Sequence, residues 1–200
     1  MANAHNLPHK KSTKIQAFLT IEIPVIHQMT GINAYISQMG FVTSQFRFDF
    51  SEYVPLLMTC VQLIAAILSM LYILKLTPRK ILLIGNLGMS LCCFVIGICF
   101  MVIHERFEAF WSIIAFLMVF MALNGGTFIP AIGLYVASVG SRQTIRWSLF
   151  MNWFICAWSV VIFIMIGDRF GYATVFLVFG IISMIGFVLN VFFMIETKFK

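Results

Sequence analysis

Between His27 and Tyr35 the chain reads His-Gln-Met-Thr-Gly-Ile-Asn-Ala-Tyr, a run of hydrogen-bonding side chains inside a segment otherwise apolar enough for a bilayer interior. Hydrocarbon holds no water, so each amide or hydroxyl there must find a protein partner or line a wet cavity. Gln28, Thr30 and Asn33 therefore have two readings. Either they tie helices together across a bundle, at about 0.6–2 kcal/mol per hydrogen bond, or they face a path for a solute. Groups for catalysis are not assembled: no nucleophile–base pair, phosphate-cradling loop or metal-ligand spacing can be drawn, and His5, His9, His27 and His104 are scattered. No catalytic residue, cofactor or metal site is expected. Cys60, Cys92, Cys93, Cys99 and Cys156 all lie in apolar runs and read as small packing residues rather than as a zinc site or a disulfide frame.

The elements that must position these groups follow from composition. The chain has 200 residues, 62% apolar and 10% charged, whereas a soluble domain is about 45–50% apolar and about 25% charged. Lipid must be its solvent. The net charge of +6 is spread along the chain, so nucleic acid is not an expected partner. Six hydrophobic segments can be drawn, approximately Ile15–Phe41, Val54–Leu74, Ile81–Ile103, Phe110–Ala137, Ile145–Ile166 and Tyr172–Ile195. Each is near the ~20 residues that cross a bilayer as helix. The short gaps carry nearly all the charge. With both ends on the inner side, ten cations lie inside (Lys10, Lys11, Lys14, Lys75, Arg79, Lys80, Arg142, Arg146, Lys198, Lys200) and three outside (Arg47, Arg106, Arg169), the asymmetry that fixes topology.

Residues 1–14 are basic and free of acid, and no secretory signal follows them. They read as a tail anchoring the first helix; a mitochondrial presequence fits the lysines but lacks arginine and an amphipathic pattern. Glu22 is interfacial if the first span begins near Ile21, the preferred reading, and a buried acid needing a partner or a proton if it begins at Ile15. Pro24 and Gly31 are expected to loosen this first helix.

The pattern resembles the C-terminal six helices of a sugar porter, the glucose-transporter-like branch of the major facilitator superfamily. His27-Gln28-Met29-Thr30-Gly31-Ile32-Asn33 is similar to Gln-Gln-Leu-Ser-Gly-Ile-Asn of the family's seventh helix. Thr77-Pro78-Arg79-Lys80-Ile81-Leu82-Leu83-Ile84-Gly85 resembles the Gly-Arg-Arg loop with the Leu-Leu-x-Gly after it. Gly125-Gly126-Thr127-Phe128-Ile129-Pro130 stands where the tenth helix carries Gly-Pro-Gly-Pro-Ile-Pro. Asn152-Trp153 matches the Asn-Trp of the eleventh helix, and Glu196-Thr197-Lys198 the core of the Pro-Glu-Thr-Lys-Gly tail. The resemblance implies an all-α membrane protein of six transmembrane helices, half of a major facilitator superfamily bundle, spanning residues 15–200 with both termini on the inner side. It implies a solute pathway faced by Gln28 and Asn33, with Gln62, Asn152 and Trp153 nearby. Amides donate to and accept from hydroxyls, and an indole offers an apolar face to a sugar ring. Gly125, Gly126 and Pro130 are gating candidates, close helix packing being the equal alternative for the glycines. Arg79, Lys80, Arg142 and Arg146 form the inner-side loops.

The departures from the family pattern are specific. Ala131 replaces the tenth-helix tryptophan, and Val136 replaces the glutamate that clamps the loop arginines. Ser37-Gln38 replaces a tyrosine pair, the loop before Arg79 has lost its acid and glycine, and the tail has lost its proline and glycine. In this family the solute site lies between two six-helix halves that rock about it. One half alone turns its amide-bearing wall to lipid, so besides the bilayer a partner is expected: a second half-transporter, a self-dimer or the subunits of a larger membrane complex. Two functions follow. One is a half-transporter that contributes a wall of a solute pathway. The other is a non-transporting accessory subunit, with the mitochondrial inner membrane compatible with its basic start.

Overall fold

A side chain that offers nothing to water leaves the backbone to close its own hydrogen bonds, and helices do this within one segment. The computed structural model describes residues 14–44, 49–73, 75–102 and 106–194, and every regular element among them is helical. In chain order these are α1 (Lys14–Met29), α2 (Ile32–Ser44), a 3₁₀ turn (Asp49–Tyr53), α3 (Val54–Ser69), α4 (Pro78–Val102), α5 (Arg106–Leu123), a π turn (Asn124–Phe128), α6 (Ile129–Val139), α7 (Arg142–Phe170) and α8 (Tyr172–Phe193). Four stretches are long and apolar enough to cross a membrane: Pro78–Val102, Phe107–Val139 running through the π turn, Arg142–Phe170 and Tyr172–Phe193. The expected tail, Arg47 and the Glu196-Thr197-Lys198 motif lie outside the described residues, apart from Lys14, which opens α1.

Three of the six expected segments are built differently from the sequence reading. The first is two helices, broken at Thr30 and Gly31. Pro24 stays inside α1, whereas Gly31 takes φ +86° and ends it. That is the left-handed conformation glycine adopts at low cost and other residues do not. A Cβ at Gly31 would also come within 2.7 Å of Phe179 and 2.8 Å of the Tyr35 ring, so two independent constraints select glycine there. The second segment stays helical only to Ser69 and continues as turns through Ile73. The fourth is α5 and α6 joined by the π turn.

Packing fixes where these pieces stand. α4 packs against α8, α5, the π turn and α6; α1 packs against α7, α8 and α6; α2 joins α3 to α7; α3 leans on α5 and the π turn. Tyr35 of α2 is fully buried among Phe120, Phe163, Phe176 and Phe179, at centroid separations from 4.9 to 6.0 Å, and its hydroxyl lies 3.4 Å from the Cys93 thiol. The α4–α8 seam is polar and small. Ser90 Oγ donates to the Gly180 carbonyl at 2.9 Å. With its amide nitrogen turned to the Ser183 hydroxyl at 2.8 Å, Asn86 also accepts from the Phe187 backbone N–H at 2.9 Å. Hydrogen bonds of this kind join helices where apolar attraction is already satisfied by lipid. Glu22 is 8% exposed and both its carboxylate oxygens lack a hydrogen-bond partner. It shares the inward face of α1 with Leu19 and Ile23, so the preferred interfacial reading gives way to burial in the bundle. α7 turns its opposite face outward, with Trp147, Phe150, Phe154 and Trp158 in successive ring contact along it.

Candidate functional site

The break at Gly31 brings the end of α1 and the start of α2 together inside the bundle. Thr30 Oγ1 donates to the His27 carbonyl at 2.7 Å, and the Gly31 N–H donates to the Gln28 carbonyl at 3.1 Å. Gln28 is the last but one residue of α1 and Asn33 the second of α2, so a continuous helix would not face them alike. Across the break they meet: Asn33 Nδ2 donates to Gln28 Oε1 at 2.5 Å, and Gln28 Nε2 donates to Asn152 Oδ1 of α7 at 2.9 Å. The relay ties α1, α2 and α7 at one point. Gln28 is buried at 5% exposure, while Asn33 and Asn152 are half-buried. The relay uses the Asn33 amide nitrogen, both sides of the Gln28 amide and the Asn152 oxygen, which leaves an N–H pair on Asn152 and a carbonyl oxygen on Asn33. A donor at one end and an acceptor at the other are groups that hydroxyls can bond to.

Immediately beside it, on the other side of α1, His27 meets the π turn. Its Nε2 lies 2.6 Å from Asn124 Oδ1, and its ring stacks on Phe128 with centroids 5.1 Å apart and an interplanar angle of 11°. Asn124 is fully buried, and its amide nitrogen has no partner. The π turn is gripped from three sides. Gly125 abuts the Gln62 carbonyl, where a Cβ would stand 2.2 Å away; Gly126 accepts from the Tyr72 hydroxyl; and Thr127 fills the space left by Gly85. π turns in long helices recur at functional sites, and here one adjoins the amide relay. His27 and Asn124 were not among the sequence candidates. The signal available was a lone asparagine before two glycines in an apolar run, and a histidine opening the polar motif.

A family model described as sugar (and other) transporter matches residues 2–200. The chain belongs to the sugar transporter family. It is an integral, multi-pass membrane protein, as the family and the four long apolar helices require. None of the curated proteins matches it.

For this sugar transporter family member the remaining candidates fall in separate places. Gln62 reaches the site through its backbone, against Gly125. Trp153 is 70% exposed on the outer face of α7, turned away from its neighbour Asn152. Gly125 and Gly126 are closely packed, and Pro130 opens α6. Arg79 Nη2 donates to the Val191 carbonyl in the last turn of α8 at 2.9 Å, while Lys80, Arg142 and Arg146 are exposed. Among the described residues no group of three or more His, Cys, Asp or Glu side chains is placed to hold a metal ion.

Proposed function

We propose that these residues form one six-span half of a sugar-porter-like transporter, with both ends on the inner side, and that the half lines a solute pathway when a second half covers its amide-bearing wall. Six spans arise when α1 and α2 count as one broken crossing and α3 as a short one. The cation distribution orients them. The observation that carries the reading is the amide relay at a helix break. Discontinuous helices meeting at mid-membrane are how transporters present polar groups to a solute. A half-buried amide pair suits a polyhydroxylated substrate, and loss of one such hydrogen bond costs about 1 kcal/mol, near a fivefold change in apparent affinity. The test is radiolabelled hexose uptake into vesicles holding the purified protein. Uptake that falls in Asn33→Ala and Gln28→Ala supports the proposal; no hexose movement, with Asn33→Ala indistinguishable from the parent, overturns it.

A second reading is favoured by the inner-side charges. The position of the family's clamping glutamate is Val136, which is buried, and Arg142 and Arg146 are exposed with no acid anywhere in residues 137–146. A transporter that rocks needs such clusters, whereas an accessory subunit of a larger membrane complex does not. Gentle solubilisation and native-size measurement separate the two: co-migration with other membrane proteins favours the subunit, a lone particle counts against it.

A further inference from the structure

A groove of about 270 Å³ runs between α4 and α8, lined by Phe94 of α4 and by Ile181, Met184, Ile185, Val188 and Leu189 of α8. Its lining is apolar throughout, and Ile181, Ile185 and Val188 are about half exposed, so it opens outward from the bundle. Two features at one end set it apart from ordinary lipid-facing surface.

The first is position. α4 and α8 run antiparallel, and Arg79 Nη2 reaches the Val191 carbonyl at 2.9 Å, which places the start of α4 beside the end of α8. From Ile181 to Val191 is ten residues, a rise of about 15 Å. That is half of the ~30 Å hydrocarbon core. A single acyl chain lying from mid-membrane along this groove would bring its headgroup level with Arg79. On α4, Lys80, Leu83, Leu87 and Phe94 recur at helical spacing and share one face, so exposed Lys80 stands at the mouth of the stripe that ends at Phe94.

The second is charge. Residues 75–80 carry Lys75, Arg79 and Lys80 without an acid, and neither α4 nor α8 contains an Asp or Glu. Arg79 commits one of its five N–H donors to Val191, which holds the guanidinium in place and leaves the others available. Nothing on either helix offsets these cations. A phosphocholine headgroup is zwitterionic, so its quaternary ammonium would offset the attraction of its phosphate to these cations.

We propose that the α4–α8 groove and the cations at its Arg79 end form a binding site for an anionic phospholipid, one acyl chain in the groove and the phosphate on Arg79 and Lys80. The site is on a face distinct from the amide relay and does not depend on transport. Cations at a membrane surface each strengthen anionic-lipid binding about fivefold, and two about thirtyfold.

The test uses the full chain in mixed micelles, with bound lipid counted by native mass spectrometry against titrated dioleoyl phosphatidylglycerol or dioleoyl phosphatidylcholine. Phosphatidylglycerol is expected to bind about thirtyfold tighter. Lys80→Gln, at an exposed position, is expected to lower that preference about fivefold. Arg79→Gln with Lys80→Gln removes it, and Val188→Trp, which fills the groove, weakens both lipids. Arg142→Gln, an equal loss of charge at the start of α7, leaves the preference unchanged. Equal binding of the two lipids overturns the proposal, as does a preference that Lys80→Gln leaves undiminished or that falls equally in Arg142→Gln. Glycerol 3-phosphate displacing the lipid at equal concentration overturns the groove's part in it.

Discussion

Three glycines allow the packing at the helix break to be isolated by one chemical change, Gly→Ala. At Gly31 the backbone is at φ +86° and a Cβ would meet Phe179 at 2.7 Å and Tyr35 at 2.8 Å. At Gly171, between α7 and α8, φ is +83° but a Cβ meets nothing within 4 Å. At Gly133, inside α6, the backbone is helical and the space is again open. The left-handed conformation costs an alanine about 1–2 kcal/mol, and forcing a methyl into packed rings adds about 1–3 kcal/mol. The expected losses are therefore about 2–5 kcal/mol for Gly31→Ala and about 1–3 kcal/mol for Gly171→Ala, whose ψ of 161° puts it in an extended positive-φ conformation nearly confined to glycine. Gly133→Ala is expected to gain up to about 1 kcal/mol from helix propensity. Equilibrium unfolding in mixed micelles, followed by tryptophan emission and circular dichroism, reads all three. The informative quantity is the loss in Gly31→Ala beyond the ~1–2 kcal/mol of backbone strain. If Gly31→Ala costs no more than that strain, the close approach of Phe179 and Tyr35 to the break is wrong, and with it the account of how Gln28 and Asn33 are brought together.

The amide relay predicts coupling rather than additivity: a double-mutant cycle of Gln28→Ala and Asn152→Ala in the same unfolding assay should return about 0.6–2 kcal/mol, and a value of zero would remove the bond between α1 and α7. Gly125→Ala places a methyl 2.2 Å from the Gln62 carbonyl, which is backbone and cannot swing aside, so a loss of about 1–3 kcal/mol is expected; a neutral result contradicts the grip of α3 on the π turn. A membrane-permeant maleimide should modify exposed Cys60 well before fully buried Cys93, which reacts only after unfolding, and matched rates on the folded protein would contradict the assigned core.

Local chemistry was legible in the sequence and long-range pairing was not. A polar run with a central glycine inside hydrocarbon marks Gln28 and Asn33 as residues in need of partners, and they bond to each other across Gly31. Asn152 could be drawn to them only through family resemblance, because the bond joins positions 124 residues apart. Pro24 and Gly31 both announced a weak helix, yet only Gly31 breaks it. A proline near the middle of α1 loses one hydrogen bond, whereas a left-handed residue redirects the chain. The π turn showed only as Asn124-Gly125-Gly126 in an apolar run, since one residue added to a turn changes neither hydropathy nor length enough to notice. Trp153 illustrates the limit of adjacency. Next to Asn152 in sequence, it points outward because successive helix residues are about 100° apart, and which of the two faces inward is set by α1 and α2. The bond from Arg79 to Val191 was equally invisible, its two ends being 112 positions apart.

The relay from Asn33 through Gln28 to Asn152 has a polarity. Gln28 spends its oxygen on one neighbour and its nitrogen on the other. Turning that amide over sets nitrogen against nitrogen on one side and oxygen against oxygen on the other, so both bonds are lost unless the two asparagines turn with it. Reversal is thus all-or-none, and it exchanges the ends: the N–H pair offered at Asn152 becomes a carbonyl, and the carbonyl offered at Asn33 becomes an N–H pair. Three side chains from three helices act here as one two-position element, which can invert without moving a helix.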